Sequence, residues 1–310
     1  MATILLLFLT LLHSPLAAQS GSVPTDPVLA TRIKLLVTAE LTGNDENTDR
    51  EDAEVRKIFS TYGLPTISEV GDEAAYDFIF LLSSNSLLPE LQGQTLLRLR
   101  AASAHDEIPA DAGVFYETRV RLLKTKELAR KSTPENPGLR DQIERLVKID
   151  QVVRQQKGFD AEKMAETDAQ NAPALQQILD KYGVPSYAMV GPQAAGDFVL
   201  MIQHQPARFR EQVLPKLKAL VDRDQADPGS YAMVYDASQR DLGRKQLYGE
   251  RLECAAGEKM HEAPIEDEEH VNQRRAELGL MRVELYAWVV AKMMPQFCPA
   301  ASKPAPKEVR

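Results

Sequence analysis

The sequence predicts a mainly α-helical protein (α+β) made of two tandem related helical units, with a small antiparallel β-hairpin in at least the second unit. Two observations lead to this fold. A segment of the chain recurs 120 positions later, which indicates an internal repeat. Apolar residues in and around the second copy also recur at a period of about 3.6 residues, which is typical of helices with one buried face.

The repeat aligns residues 58–80 with residues 178–200 without a gap, and ten of the 23 positions are identical. Chance is a poor explanation at that density. We therefore predict a first unit over 30–130, a linker over 131–138 (KSTPENPG) and a second unit over 139–296. The tail over 299–310 is rich in Pro and Lys and is predicted to be disordered.

The elements of the second unit follow from periodicity and turn residues. Helices are predicted over 139–156, 172–181, 193–203 and 209–222, and the second of these ends where Gly183 and Pro185 oppose continuation. Alternating residues in 231–235 and 245–252 predict the hairpin, with its turn at Leu242-Gly243. Two helices, over 268–278 and 281–294, complete the unit.

Composition and charge exclude several classes of protein. Hydrophobic residues make up 44% and charged residues 26% of the chain, as in ordinary globular proteins, so neither wholesale disorder nor a coiled-coil rod is expected. The net charge is −8, which argues against nucleic-acid binding and against docking on anionic lipid. No long apolar run follows the N-terminus, so the mature chain is predicted to have no transmembrane span.

The N-terminus has the pattern of a signal peptide. Residues 4–12 form a short apolar core, and the small residues Ala17 and Ala18 precede Gln19. Cleavage after residue 18 would place the mature protein in the periplasm or outside the cell. In that oxidising compartment Cys254 and Cys298, the only two cysteines, are expected to form a disulfide; two free buried thiols are the alternative.

Comparison of the two copies selects candidate functional residues. Gln203 and His204 stand in the second copy where the first has Ser83 and Ser84. The first copy also has no counterpart of several other polar residues, namely Asp150, Gln151, Arg154, Asp236, Gln246 and Tyr248. The first unit is therefore interpreted as a degenerate scaffold, and a functional site is expected in the second.

These residues, in this order, resemble an uncharacterised bacterial family classed only as a domain of unknown function. The resemblance rests on Asp150-Gln151-x-x-Arg154, Gln203-His204, Asp236, Gln246-x-Tyr248-Gly249, and a tail with Pro264-Ile265 and Arg274-Arg275. It covers about 143–286 and extends weakly to the first copy. The chain departs from the family pattern at Val184, where the family has Trp, and at Ala237, where it has Arg. The resemblance implies no reaction.

His204 is the candidate general base, with a carboxylate from Asp150 or Asp236 holding one ring nitrogen. The alternative is a partly buried histidine bonded to backbone. Asp150 and Arg154 are spaced i,i+4, as in a surface ion pair or in an inward pair that binds a polar ligand. The predicted ligand-binding set is Asp150, Gln151, Arg154, Gln203, Gln246 and Tyr248, although Tyr248 could equally complete the core.

No metal or cofactor is predicted. His261-Glu262 and the acidic run before His270 do not have zinc-ligand spacing, and phosphate-binding loops and nucleophile elbows are missing. Three functions stay open: an envelope binding or interaction protein without catalysis, a small-molecule or glycan binding module, and a hydrolase or lyase. The enzyme requires a carboxylate within about 3 Å of His204 in a concave site. An interaction protein requires an exposed apolar patch instead.

Overall fold

The computed structural model describes residues 23–43, 48–84, 87–155, 160–254 and 260–293. It confirms the mainly α fold: 74% of the described residues are helical, and these residues also form one small antiparallel sheet. Within the described residues, no helix is long and apolar enough to cross a membrane. The predicted signal peptide (1–18), the tail (299–310) and Cys298 lie outside these ranges, so cleavage and disulfide pairing stay predictions.

The helices are α1 Pro27–Thr42, α2 Thr48–Tyr62, α3 Ile67–Val70, α4 Asp72–Leu82, α5 Leu88–Ser103, α6 Ala110–Lys131, α7 Pro137–Arg154, α8 Ala161–Tyr182, α9 Tyr187–Val190, α10 Pro192–Gln203, α11 Ala207–Val221, α12 Pro228–Asp241, α13 Val271–Glu277 and α14 Val283–Met293. A 3-10 turn, Glu268–His270, precedes α13. The strands are β1 Leu252–Glu253 and β2 His261–Glu262.

The segments that recur in the sequence adopt the same local structure in both halves. In each half a four-residue helix (α3 or α9) is followed by a glycine with positive φ, Gly71 at 86° and Gly191 at 83°, and then by a longer helix (α4 or α10). Glycine adopts this conformation without a side-chain clash. Thr66 and Ser186 cap the N-termini of the short helices, and the hydroxyl of each accepts a backbone N–H from three residues further on. The identical pair Gly71 and Gly191 therefore serves the same turn in both halves.

Each half has its own apolar core. Ile58 and Phe78 are buried in the first core, and their counterparts Ile178 and Phe198 are buried in the second. The C-terminal helices do not follow this division, since Ala276 of α13 belongs to the first core and α13 packs mainly on α6. Helices α13 and α14 therefore pack against the first unit, although the sequence assigned them to the second.

The predicted position of the hairpin is wrong. Residues 231–235 lie in α12, and the two strands that pair are β1 and β2, with Leu252 opposite Glu262 and Glu253 opposite His261. Asp227 explains the error, because its carboxylate accepts the N–H of Ser230 and caps a helix with Pro228 in its first turn. Tyr231, Val234 and Ser238 are then buried at helical spacing.

Candidate functional site

Three helices bring His204 into a charged cluster. Asp150 and Arg154 lie in the last turns of α7, Asp168 lies in α8, and His204 directly follows α10. The His204 Nδ1 atom is 3.2 Å from Asp150 Oδ1. Arg154 Nε donates to both carboxylate oxygens of Asp150 at 3.2 Å, and its guanidinium also contacts Asp168. Of the two carboxylates proposed to hold His204, the structure therefore places Asp150 beside it.

Asp150 is an ionised structural partner within this cluster. Its side chain is only 1% exposed, and burial alone would raise its pKa. The hydrogen bonds from His204, Arg154 and Gln151 outweigh burial and lower the pKa of Asp150 to about 2. A carboxyl group with a depressed pKa stabilises the fold above its unfolded pKa, near 4, and that contribution is lost as the pH falls towards 2.

The cluster also forms a set of metal-ligand atoms that the sequence did not predict. One ligand atom from each of Asp150, Asp168 and His204 lies within 4.8 Å of the others. However, the Arg154 guanidinium already contacts both carboxylates and supplies the positive charge that a metal ion would provide. The arrangement is therefore better described as an Asp–His pair held by an arginine than as a metal centre.

Sequence reasoning missed Asp168 because it began the helix too late. The predicted helix started at residue 172. In the structure Pro173 lies inside α8, which begins at Ala161. The residue that marks the start of α8 is Asp160, whose carboxylate caps the helix by accepting the N–H of Lys163. Beginning the helix there would have placed Asp168 on a helix beside α7.

Gln151 and Gln203 contribute to this region in different ways. Gln151 Nε2 donates to Asp150 Oδ2 at 2.8 Å, so its amide is engaged within the cluster. The backbone carbonyl of Gln203 accepts a hydrogen bond from Arg210 at 3.0 Å. Gln205, which was not selected, is buried and donates to the carbonyl oxygen of Asp168. Its side chain thereby ties the end of α10 to α8.

Asp236 lies in a separate buried network. It is 0% exposed, and its carboxylate accepts the backbone N–H groups of Leu247 at 2.8 Å, Tyr248 at 3.2 Å and Glu250 at 2.9 Å. Burial raises the pKa of Asp236, and these N–H groups oppose the rise. Its contacts hold the 247–250 segment rather than a histidine, so its position does not support the predicted catalytic role.

Gln246 and Tyr248 belong to the same network. The Gln246 amide is buried, donating to the Ala263 carbonyl at 2.6 Å and accepting from the Arg251 N–H at 2.9 Å. The Tyr248 ring packs edge-on against Tyr231 and Tyr235, with centroids 6.0 and 5.7 Å away. For Tyr248 the structure therefore favours a role in the apolar core over the predicted role in ligand binding. The predicted site residues therefore form two groups, one around His204 and one around Asp236.

A large cavity among the described residues lies elsewhere, between the first unit and the C-terminal helices. Its volume is about 940 Å³, within the range of small-molecule sites. Three helices of the first unit (α1, α4 and α6) and the segment from Glu269 to Trp288 line it. His204 does not line this cavity.

Arg282 builds one wall of this cavity. Its guanidinium forms two bonds with Asp111, at 2.6 and 2.7 Å, and one with Asp72 at 2.5 Å. It also stacks on the Tyr76 ring at 4.4 Å, and its backbone N–H donates to the Tyr76 hydroxyl. These contacts join the C-terminal segment to α4 and α6 of the first unit. The cavity therefore depends on tertiary packing between distant parts of the chain.

Asp77 is the unusual group in the cavity wall. It is 5% exposed, and its carboxylate has no hydrogen-bond or ion-pair partner among the described residues. Burial, with the charge of Glu73 adding to it, raises the pKa of Asp77 to about 7, although Lys34 and Arg282 oppose the rise. Its sequence counterpart Asp197 instead accepts a hydrogen bond from Gln193 at 2.9 Å.

The sequence pattern of a family of unknown function (DUF6624) matches residues 137–294. This match covers half of the chain, and the chain therefore belongs to that family. The expected likeness to an uncharacterised family is confirmed at this level. No curated protein and no solved structure matches the chain.

Proposed function

We propose that this DUF6624 member is an exported, non-enzymatic binding protein that holds a small molecule between its first unit and its C-terminal helices. The cavity of about 940 Å³ carries the proposal. Its lining combines apolar side chains with charged ones, among them a buried carboxylate of perturbed pKa, and such groups are typical of ligand sites. This binding site replaces the pocket that the sequence suggested within the second unit.

Export is supported by the N-terminal pattern and the two cysteines. Cleavage after residue 18 would leave a mature chain that begins at Gln19. Intact-mass measurement of protein recovered from the periplasm or medium tests both features: we expect the mass of the cleaved chain, less two hydrogens for a Cys254–Cys298 disulfide. Full-length protein retained in the cytoplasm would contradict export.

We also infer that the two units arose by duplication. The support is the shared offset of 120 residues and the recurrence of a short helix, a positive-φ glycine and a longer helix in each half. A residue-by-residue alignment of other family members would test this inference. A first half that aligns better with an unrelated family than with the second half would contradict it.

Ligand binding in the cavity can be tested with Trp288, the only tryptophan in the chain, which lines the cavity. We expect at least one compound in a panel of small amines, carboxylates and sugars to change its fluorescence and to raise the thermal midpoint, because a ligand that binds only the folded state stabilises it. Val114→Phe narrows the cavity and should weaken that binding about tenfold or more.

Val152→Phe is the matched control for the cavity variant. Val114 and Val152 are both exposed helical valines, at 42% and 54%, but only Val114 lines the cavity. Binding that is equal in the two variants, or a panel without any ligand, would overturn the proposal.

The distance of 3.2 Å between His204 and Asp150 supports a second candidate, a hydrolase with His204 as general base. We expect no turnover of nitrophenyl esters or glycosides. We further expect His204→Ala to lower the stability at pH 7.5 by about 1 kcal/mol, since Asp150 keeps Arg154 and Gln151 as partners. Turnover that is lost in His204→Ala and kept in His105→Ala would favour the hydrolase instead.

A further inference from the structure

The charged groups of the cavity wall are unbalanced. Six carboxylates line it against two cationic side chains. Both cations are already paired, Arg282 with Asp72 and Asp111, and Lys34 with Glu73 at 2.9 Å. The acidic residues in the lining are Asp72, Glu73, Asp77, Asp111, Glu269 and Glu284. Negative charge therefore remains after the internal pairs are formed.

Asp77 is the buried part of that excess. Glu284 accepts the Asn272 amide at 2.9 Å and is exposed to solvent. Asp77, in contrast, is almost fully buried, lines the cavity and lacks a partner among the described residues. A buried carboxylate without a hydrogen bond or counter-ion is unfavourable. A ligand that supplies a positive charge at this position would remove that cost.

We propose that the cavity takes an organic cation, an ammonium group on an apolar body, with the Asp77 carboxylate as its counter-ion. This inference rests on the proposed binding function and names its ligand class. The apolar body would contact Val37, Val114, Leu285 and Trp288, which also line the cavity. Burial of apolar surface would supply affinity, and the carboxylate would supply specificity for charge.

The same wall disfavours an anionic ligand. A ligand carboxylate would face excess negative charge, and the cations that could receive it are held by other carboxylates. Like charges at close range raise the free energy of binding. A neutral ligand would leave Asp77 without a counter-ion. The cavity should therefore select by charge among ligands of equal size.

The test uses a series of related aromatic ligands with the full mature chain. Benzyltrimethylammonium and phenethylammonium are the cationic probes, 2-phenylethanol is the neutral analogue, and 3-phenylpropionate is the anionic one. Calorimetry gives the dissociation constants, and Trp288 fluorescence reports whether binding occurs at the cavity. We expect both cations to bind at least tenfold more tightly than the other two ligands.

Asp77→Asn and Asp197→Asn form a matched pair of variants. The two positions are 120 residues apart and carry the same residue on equivalent helices, but only Asp77 lines the cavity. We expect Asp77→Asn to lose at least tenfold in affinity for benzyltrimethylammonium, while Asp197→Asn keeps the wild-type value. Thermal midpoints of both variants verify that each is folded.

Binding should also depend on pH. The charged groups that act on Asp77 are Glu73 on its own helix, Lys34 from α1 and Arg282 from the segment before α14. Because the pKa of Asp77 is raised to about 7, the carboxylate becomes available as the pH rises from 6 to 8. Benzyltrimethylammonium has no titratable proton, so its affinity should rise by about tenfold over this range. Asp77→Asn should remove the rise.

The outcomes separate this inference from the proposed function. If 2-phenylethanol and the cations bound equally well, or if wild type and Asp77→Asn had equal affinity, the inference of a cationic ligand would be wrong. The proposal of a ligand site in the cavity would remain. Binding of 3-phenylpropionate alone would have the same consequence. Absence of binding by every compound of both panels would overturn both. Cation binding that Val114→Phe does not weaken would place the ligand outside the cavity and contradict both as well.

Discussion

Replacing Arg275 with methionine should lower the free energy of unfolding by about 3–5 kcal/mol, the range expected when one partner of a buried ion pair is removed. Arg275 is 1% exposed. Its guanidinium donates to the Glu250 carboxylate at 2.8 Å and to the carbonyl oxygens of Tyr248 and Met281, each at 2.6 Å. Methionine fills similar space but leaves the buried carboxylate without its counter-ion and takes this donor away from two carbonyls. Urea unfolding followed by circular dichroism at pH 7 measures the loss.

Two further variants test the cause of this loss. Arg244→Met removes a solvent-exposed arginine that pairs with Glu211 at 3.3 Å, and it should change stability by less than about 1 kcal/mol. The double variant Arg275→Met with Glu250→Gln removes the unpaired charge and should recover part of the stability. A loss below about 1 kcal/mol for Arg275→Met alone would show that the ion pair is not structural.

Replacing Asp236 with alanine should lower the free energy of unfolding by about 3–4 kcal/mol, because a buried donor left unsatisfied costs about 1–3 kcal/mol. The carboxylate of Asp236 accepts three backbone N–H groups, from Leu247, Tyr248 and Glu250. In the alanine variant these N–H groups lose their acceptor, and those of Tyr248 and Glu250 are buried. The midpoint of urea unfolding at pH 7 checks this result.

Asp236→Asn is the informative companion variant. The amide oxygen of the asparagine could still accept from Leu247 and Tyr248, but its NH₂ group would face the Glu250 N–H. We therefore expect a loss of stability between zero and that of the alanine variant.

Asp222→Ala, which removes only an exposed i,i+4 pair with Lys218, is the surface control and should cost less than about 1 kcal/mol. If Asp236→Ala kept full stability, the catalytic role predicted for Asp236 would become the better explanation of its burial.

The sequence located His204 and Asp150 but did not decide between Asp150 and Asp236 as partner. Asp150 lies far before His204 in the sequence and Asp236 lies far after it. No local sequence pattern therefore shows which of the two contacts the histidine. The choice depends on how α7 and α12 pack against α10, and that packing places Asp150 beside the imidazole. Asp168 was missed for a more local reason, because the predicted helix began at residue 172 whereas α8 begins at Ala161.

The cavity was not predicted, and the comparison of copies even directed attention away from it. That comparison selected only residues that differ between the copies, and Asp77 and Asp197 are identical in the alignment. Their surroundings differ, because Asp77 lines the cavity that the C-terminal segment completes, whereas Asp197 accepts a hydrogen bond from Gln193 on its own helix. Residues that are identical in both copies indicate what each unit needs in order to fold. They do not indicate which of the two units the C-terminal segment packs against.

The sequence by itself determined the helical fold class, the repeated turn and the family to which the chain belongs. These depend on apolar periodicity, on glycines with positive φ and on residue order, all of which are local properties of the chain. Only the tertiary structure decided the pairing of His204 with Asp150, the burial of Asp236 and the cavity around Asp77. These depend on contacts between helices far apart in sequence, as when Arg282 reaches Asp72 and Asp111 across more than half of the chain.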